Sequence, residues 1–431
     1  MRRFLISVAT ASIAVATSVS AETIAITNAH IYSMGKAGEI ASGTVILTDG
    51  KIAAIGANVK APTGAHVIDA AGRIVTPGLF LTGSDIGSEE ISGVEQTNDS
   101  GVQSGPLSAG FDVQYSLNPD STLIPIERLT GATSALVTPT LRSGRRERNE
   151  KLFAGQAAVI RLGQSPNLLS KAHAAMVTSA GEDGAAQAGG ARGAFIIQLK
   201  GQLAEARAFQ KNVTAFDQNR TRATHLSRED LEALVPVVNG KEPLLIDVHR
   251  AGDLRMMMAL ARDEKISIVI SGAEEGWRVA DELAASKTPV MIDTDEDLPV
   301  SFESLSATLE NAARLQAAGV QVIIHGPGLQ NGGKAVRLAA GRAVSRGMPW
   351  GAALASITAI PARVFGVADQ TGALDIGKDA DLVVWGGDPL DTSGNADLVL
   401  IKGVEQSKRS RQLDLRDRYL KPDNGLPPQY H

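Results

Sequence analysis

The chain has 431 residues, of which 43% are apolar, so it can bury a large core and exceeds the usual size of one compact domain. Its formal net charge is −5 with both signs mixed along the chain, which excludes the basic footprint of a nucleic-acid-binding protein. It has no cysteine, which excludes disulfides, a thiolate nucleophile and thiolate metal ligands. Neutral small molecules or peptides are the expected partners.

The N-terminus has the pattern of a secretory signal peptide. Arg2 and Arg3 precede an apolar run from Phe4 to Val19, and small residues end at Ala21. The alternative is a short membrane anchor, but the run falls below the roughly 20 apolar residues that a spanning helix needs. We therefore predict cleavage of residues 1–21 near Ala21, a periplasmic or secreted protein, and no membrane span after signal removal.

Short strands and turns make up both ends of the mature chain. Asp49 and Gly50 lie between two β-like runs, and this dipeptide favours a type I′ hairpin because glycine tolerates a positive φ. Similar strands return at residues 380–385 and 396–402. Segments this small do not fold alone, so residues 22–72 and 368–405 are predicted to form one composite β-sandwich domain.

Between these ends, residues 73–367 alternate apolar, β-branched runs with helical stretches. This alternation predicts an α/β fold, a (β/α)8 TIM barrel rather than an open sheet. Strands are expected at 194–198, 243–248, 266–270, 289–292 and 319–324, and helices at 254–262, 277–285 and 302–318. The Gly- and Ala-rich stretch from Ser179 to Arg192 is predicted to be a mobile surface loop, either a lid or a plain insertion. Residues 406–431 read as a C-terminal extension that is solvated or partly ordered.

Three blocks resemble the amidohydrolase superfamily, in its imidazolonepropionase-like and dihydroorotase-like branches. They are VIDAAGRIVTPGL at 67–79, PLLIDVHRAGD at 243–253, and ALASITAIPARVFG at 353–366 with TGALDIGKDADLVV at 371–384. The resemblance implies that the chain ends form the sandwich and the middle forms a metal-bearing barrel. It also implies hydrolysis of carbon–nitrogen bonds in non-peptide or cyclic amides.

The family's metal ligands can be sought by position. Where relatives carry His-x-His after the first barrel strand, this chain has Gly83 and Asp85. His249 matches a family ligand, whereas Ser271 and Pro327 stand where a histidine and an aspartate are expected. Because a zinc site needs three or four good ligands, the sequence indicates a divergent member for which a binuclear site is not expected.

Other polar groups gather at predicted strand ends. Asp247 and His249 are two residues apart on a strand and therefore point to the same side, and Asp293 and His325 each follow a later strand. Lys200 is the one candidate for a carboxylated lysine in mid-barrel. The candidates are catalytic Asp247, His249 and Asp293, substrate-binding Arg250, Ser271 and His325, and metal-binding His249, Asp85, Asp247 and Asp293.

Two functions remain open at this point. One is an exported hydrolase for a small-molecule amide or peptide-like substrate, with no cofactor or a single Zn or Mn ion. The other is a metal-free relative whose barrel mouth binds a ligand or a protein, forming a homo-oligomer or a hetero-oligomer with a related subunit. A hydrogen-bonded structural cluster around His249, Arg250 and Asp253 would suit the second.

Overall fold

The computed structural model describes residues 23–141, 151–326 and 332–420. The predicted signal peptide and Pro327 lie outside these residues. In the described part of the chain, no helix is both long and apolar enough to cross a bilayer.

Sixteen strands and twelve α-helices are assigned within the described residues. The strands are β1 Thr23–Tyr32, β2 Glu39–Thr48, β3 Lys51–Gly56, β4 His66–Asp69, β5 Ile74–Pro77, β6 Leu79–Ser84, β7 Ala132–Val137, β8 Phe153–Arg161, β9 Leu169–Ser179, β10 Leu244–Val248, β11 Ile268–Gly272, β12 Val290–Ile292, β13 Val322–Ile324, β14 Leu382–Trp385, β15 Ala396–Ile401 and β16 Val404–Glu405. The helices are α1 Leu123–Leu129, α2 Gly181–Gln187, α3 Arg192–Lys211, α4 Val213–Asp217, α5 Arg228–Val238, α6 Ala251–Glu264, α7 Ala280–Ser286, α8 Asn311–Ala317, α9 Gly332–Ser345, α10 Trp350–Ser356, α11 Ala359–Val364 and α12 Arg411–Leu420.

The two chain ends form one sheet, as predicted. Its strand order is β16-β15-β14-β5-β1-β2-β3, with β4 beside β1, so β14 from the C-terminal end pairs with β5 from the N-terminal end. Asp49 and Gly50 have φ values of 52° and 73° and connect β2 to β3. Positive φ at both central residues confirms the type I′ turn.

The second sheet is a nearly closed eight-stranded barrel, ordered β13-β12-β11-β10-β9-β8-β7-β6. The TIM-type barrel is confirmed, with one departure: β8 runs antiparallel to both β7 and β9. The predicted strands near β10, β11, β12 and β13 are all present. Because the carboxyl ends of β10 to β13 share one edge, this edge is where the candidate residues meet.

The barrel is completed by helices rather than by a last strand pair. Within the described residues, the strand ladder contains no pairing between β6 and β13. The amide of Phe80 in β6 instead donates to the carbonyl of Ile357, 2.8 Å away, and Phe80 shares a buried cluster with Ile323, Ala362 and Phe365. The α10–α11 segment therefore closes the gap between the first and last strands.

Three secondary-structure predictions differ from the structure, at residues 194–198, 302–318 and 179–192. Residues 194–198 belong to α3 and not to a strand, because Phe195, Leu199 and Leu203 recur at helical spacing and are buried on one face. Lys200 lies on the same helix, half exposed and 3.7 Å from Glu264, so it cannot serve as a mid-barrel carboxylated lysine. The helix predicted over 302–318 is confined to α8.

The stretch predicted as a mobile loop contains α2. Gly181, Gly184 and Ala185 are buried in it, and a Cβ added to Gly184 would lie 3.0 Å from the ring of Phe195. The small residues thus permit close packing against α3. The composition was typical of a loop, but the contact that stabilises this helix comes from the next one.

Gly131 offers a test of core packing. A Cβ there would lie 2.4 Å from Cη2 of the buried Trp385, and its φ is +92°. We expect Gly131→Ala to lower the free energy of unfolding by about 2–4 kcal/mol through overpacking and backbone strain. Gly201→Ala is the control, since that glycine lies in α3 with nothing within 4 Å. It should raise stability by about 0.5–1 kcal/mol in the same denaturant titration, and equal losses in both variants would contradict the prediction.

Candidate active site

The candidate residues Asp247, His249 and Ser271 come together at the carboxyl ends of β10 and β11. Asp247 and Ser271 are direct neighbours in the parallel ladder. His249 follows β10 and is joined to carboxylates on both sides. Its Nε2 lies 3.3 Å from Oδ2 of Asp247, and its Nδ1 lies 2.6 Å from Oε2 of Glu274. Glu274 follows β11 and was not among the predicted residues.

The two carboxylates determine the charge of His249. Burial by itself would lower the pKa of its imidazole, but the hydrogen bonds and negative charges of Asp247 and Glu274 outweigh burial and raise the pKa to about 11. The ring is therefore an imidazolium at neutral pH. The triad of Asp247, His249 and Glu274 then carries a net negative charge.

Gly272 makes room for this histidine. It has a φ of +88°, and a Cβ there would lie 2.4 Å from Nδ1 of His249 and 3.4 Å from Oδ1 of Asp247. Any side chain would displace the imidazole from Glu274. Because Gly272 has no side chain, the imidazole of His249 can occupy this space and reach Glu274.

A second group lies at the ends of β12 and β13. Burial raises the pKa of Asp293, while its hydrogen bond from the amide of Asp295 and the nearby His325 oppose the rise. Burial also raises the pKa of Glu296, helped by the charges of Asp293 and Glu274. Glu296 is therefore within electrostatic range of both groups, which lie at the carboxyl ends of neighbouring barrel strands and form one acidic mouth.

Two other candidates have different partners. Arg250 immediately precedes α6, and its Nη2 donates to Oδ1 of Asp253 at 2.9 Å. Asp253 also accepts a hydrogen bond from Nε of Arg192, whose Nη2 donates to Glu303. Arg250 thus belongs to an ion-pair network with Asp253, Arg192 and Glu303, whereas His249 pairs with Asp247 and Glu274.

Asp85, at the end of β6, is paired with another carboxyl group. It is only 2% exposed, and burial together with the adjacent Glu89 raises its pKa to about 7. Asn98 donates to Oε2 of Glu89 at 2.7 Å. Gly83 lies against His325, because a Cβ on Gly83 would be 4.0 Å from its side chain. The family's first pair of ligand positions therefore holds a glycine, Gly83, and a buried aspartate with a raised pKa, Asp85.

The donor groups can be compared with what a metal pair requires. A histidine ligand must offer a free ring nitrogen, and both nitrogens of His249 are engaged with carboxylates. Over residues 23–141, 151–326 and 332–420, no group of three or more His, Asp or Glu side chains is arranged to hold a metal ion. In this arrangement the ring nitrogens of His249 are therefore already occupied by carboxylates.

Comparison with known proteins agrees with this fold. The model of the amidohydrolase family matches residues 140–408. The chain belongs to the amidohydrolase family. A curated relative, the amidohydrolase tasK of Hapsidospora irregularis, is 25% identical over 396 residues. The match includes 84% of this chain but only 40% of the relative, so this amidohydrolase spans about two fifths of the relative's length.

Solved amidohydrolase structures share the architecture. An amidohydrolase from Thermotoga maritima MSB8 superposes with a TM-score of 0.78 at 23% identity, covering 90% of this chain and all of the other. Molinate hydrolase gives 0.55 at 16% identity, covering 95% and 98%. A prolidase complexed with N-methylphosphonate-L-proline gives 0.52 at 13% identity, covering 90% and 100%. At these identities the likeness shows the fold alone.

Proposed function

We propose that this protein is an exported hydrolase that cleaves a carbon–nitrogen bond in a small amide, cyclic amide or short peptide, with at most one divalent ion. The observation that supports it most is the meeting of Asp247, His249, Glu274, Asp293 and Glu296 at the carboxyl ends of the barrel strands. In barrels of this type, that end carries the chemistry.

The acidic mouth suggests both a role for its carboxyl groups and a class of substrate. A carboxyl group whose pKa is raised toward neutrality can take a proton from water and return it to a leaving nitrogen, and Asp293 and Glu296 have such environments. Asp247 and Glu274 keep His249 in place beside them. Because the mouth is negative overall, we infer a neutral or cationic amide in preference to one that bears a carboxylate.

A screen of amides tests this proposal. Neutral, amine-bearing and carboxylate-bearing amides would be incubated with the mature protein and products measured by mass spectrometry. Asp293→Asn should lower the rate on any amide that is cleaved by about 10²–10⁴-fold, whereas Glu405→Gln, an exposed substitution on β16, should leave it unchanged. Equal rates for Asp293→Asn and the unsubstituted protein would refute the role of Asp293.

Metal content and export need separate measurements. Elemental analysis of protein purified without a His tag should find at most about one equivalent of Zn or Mn per chain, and two tightly bound ions would contradict the proposal.

N-terminal sequencing of the protein from its native compartment should start near Glu22. A retained Met1 would contradict export.

A second function is favoured by the engagement of both nitrogens of His249, which leaves no free lone pair for a metal or a substrate proton. In that case the chain is a metal-free relative that binds a ligand or a related amidohydrolase subunit. Four exposed apolar residues at the mouth, Leu298, Val300, Phe302 and Leu305, provide a surface for it. A well-folded, metal-free chain that cleaves no amide but co-elutes with a related subunit would support this alternative.

A further inference from the structure

Glu242 is a buried carboxyl group with an unusual lack of partners. It immediately precedes Pro243 and β10, at the amino end of the strand and therefore on the barrel floor, opposite the candidate active site. Its side chain is 2% exposed, and among the described residues neither carboxyl oxygen has a hydrogen-bond partner. A buried polar group left unsatisfied in this way needs an explanation.

Three ionisable groups lie within electrostatic range of Glu242, namely His173, Asp112 and Lys171. His173 of β9 is paired with Asp112 at 2.8 Å, and Lys171 lies two residues earlier on β9. Burial raises the pKa of Glu242 to about 8, although the positive charges of His173 and Lys171 act against the rise and Asp112 adds to it. At neutral pH the carboxyl group is therefore mostly protonated.

In the structure, the ammonium of Lys171 is hydrogen-bonded to a group other than Glu242. Its Nζ donates to the carbonyl of Phe365, 3.0 Å away, at the C-cap of α11. Gly366 provides the space, because its φ is +71° and a Cβ there would lie 2.3 Å from Nζ. Burial lowers the pKa of Lys171, while Glu242 and Asp369 counteract that effect. The ammonium thus satisfies a helix-end carbonyl that would otherwise lack a donor.

Helix α11, which accepts this hydrogen bond at its C-terminal end, helps to close the barrel. The α10–α11 segment closes the barrel between β6 and β13, and Phe365 belongs to the buried cluster at that closure. The bond from Lys171 to Phe365 connects β9 with the closing segment. Its loss would act where β6 and β13 are not paired with each other in the described structure.

We propose that Glu242 and Lys171 form a proton-controlled latch on the barrel floor: the ammonium holds α11 while the carboxyl is protonated, and moves to the carboxylate when the carboxyl ionises. The step transfers one proton from Glu242 to solvent and breaks one hydrogen bond, from Nζ to the Phe365 carbonyl. A bond from Nζ to the Glu242 carboxylate replaces it. Alkaline pH therefore loosens the closing segment.

The sign of the pH effect follows from the raised pKa. Below about pH 4.5 the carboxyl is protonated in the folded and unfolded protein alike, so it adds no pH dependence. Between pH 4.5 and 8 the unfolded chain releases the proton and the folded one retains it, so stability falls as pH rises. Above pH 8 both forms are ionised, the loss is constant and the latch is released.

Thermal unfolding and hydrogen exchange test the latch. Relative to the unsubstituted protein, Glu242→Gln should raise the melting temperature by about 5 °C or more at pH 8, and by much less at pH 5. The peptide over residues 357–367 should exchange faster in the unsubstituted protein than in Glu242→Gln at pH 9, and equally at pH 6. Comparison at one pH removes the intrinsic pH dependence of exchange, and Glu405→Gln is the matched exposed control.

Lys171→Met keeps the test independent of whether Glu242→Gln folds well. It removes the ammonium altogether, so the 357–367 peptide should exchange faster than in the parent at pH 6 and at the same rate as in the parent at pH 9. Two results would overturn the latch: a melting-temperature difference between Glu242→Gln and the parent that is the same at pH 5 and 8, or 357–367 exchange in Lys171→Met that matches the parent at both pH values.

Discussion

Replacing Arg161 with Met is expected to lower the free energy of unfolding by about 3–5 kcal/mol. Arg161 ends β8, and its Nη1 contacts Asp379 and also lies 3.1 Å from Oδ2 of Asp381. All three side chains are at least 92% buried. Without the guanidinium, Asp379 would keep its ion pair with Lys51, whereas Asp381 would be a buried carboxylate without a charged partner among the described residues. Urea unfolding followed by circular dichroism measures the loss.

The remaining bonds of Asp381 show why the loss should be large. Its oxygens accept from the amide of Lys402 at 2.8 Å and from Oγ1 of Thr371 at 2.9 Å, but neither partner carries a charge close to the carboxylate. Adding Asp381→Asn to Arg161→Met should recover part of the stability, because it removes the buried charge that the first substitution leaves without a charged partner. Arg255→Met breaks an exposed pair with Glu282 and should cost no more than about 0.5 kcal/mol. A cost below about 1 kcal/mol for Arg161→Met would contradict the account.

Glu274→Gln should lower the pKa of His249 by about one to three pH units. The substitution keeps the shape of the side chain but removes one of the two negative charges that hold the ring as an imidazolium. Since the pKa of His249 is raised to about 11 in the parent, its ring should stay protonated through pH 9 there and lose its proton at lower pH in the variant. The ring proton shifts in an NMR titration report this directly and need no substrate.

The control for this titration is Glu205→Gln. Glu205 pairs with the exposed His225 in the same way, at 2.7 Å, but lies on α3 outside the mouth. The Glu205→Gln substitution should leave the pKa of His249 unchanged. An unchanged His249 titration in Glu274→Gln would show that Asp247 alone determines the charge of the ring, and the site would have to be described without Glu274.

Much of the fold was predictable because its signals are local. The Asp49-Gly50 turn depends on a conformation that glycine adopts freely, and the apolar runs that became β10 to β13 are short and β-branched. The run at 194–198 has a similar composition but lies in α3. It was mistaken for a strand because a run this short does not distinguish helical from strand periodicity. The antiparallel β8 was missed for a similar reason: strand direction depends on distant partners.

The site was predictable only in part. Asp247, His249, Asp293 and His325 were found because each ends a predicted strand, and the structure brings them to one mouth. Glu274 and Glu296 follow strands too, at positions where the family motif directs no attention, and only the fold places them beside His249 and Asp293. Proximity between segments that are distant in sequence has no local signature.

By itself the sequence determined the family, the composite sheet of the two chain ends, and the absence of the usual histidines after β6. These depend on residue identity and on turns that a few neighbouring residues specify. Only the tertiary structure decided that His249 is held as a cation between two carboxylates, that Asp379 and Asp381 attach the chain-end sheet to the barrel through Arg161, and that Glu242 lacks a partner. Charge state and burial depend on which distant segments exclude water from a group, and folding alone establishes this.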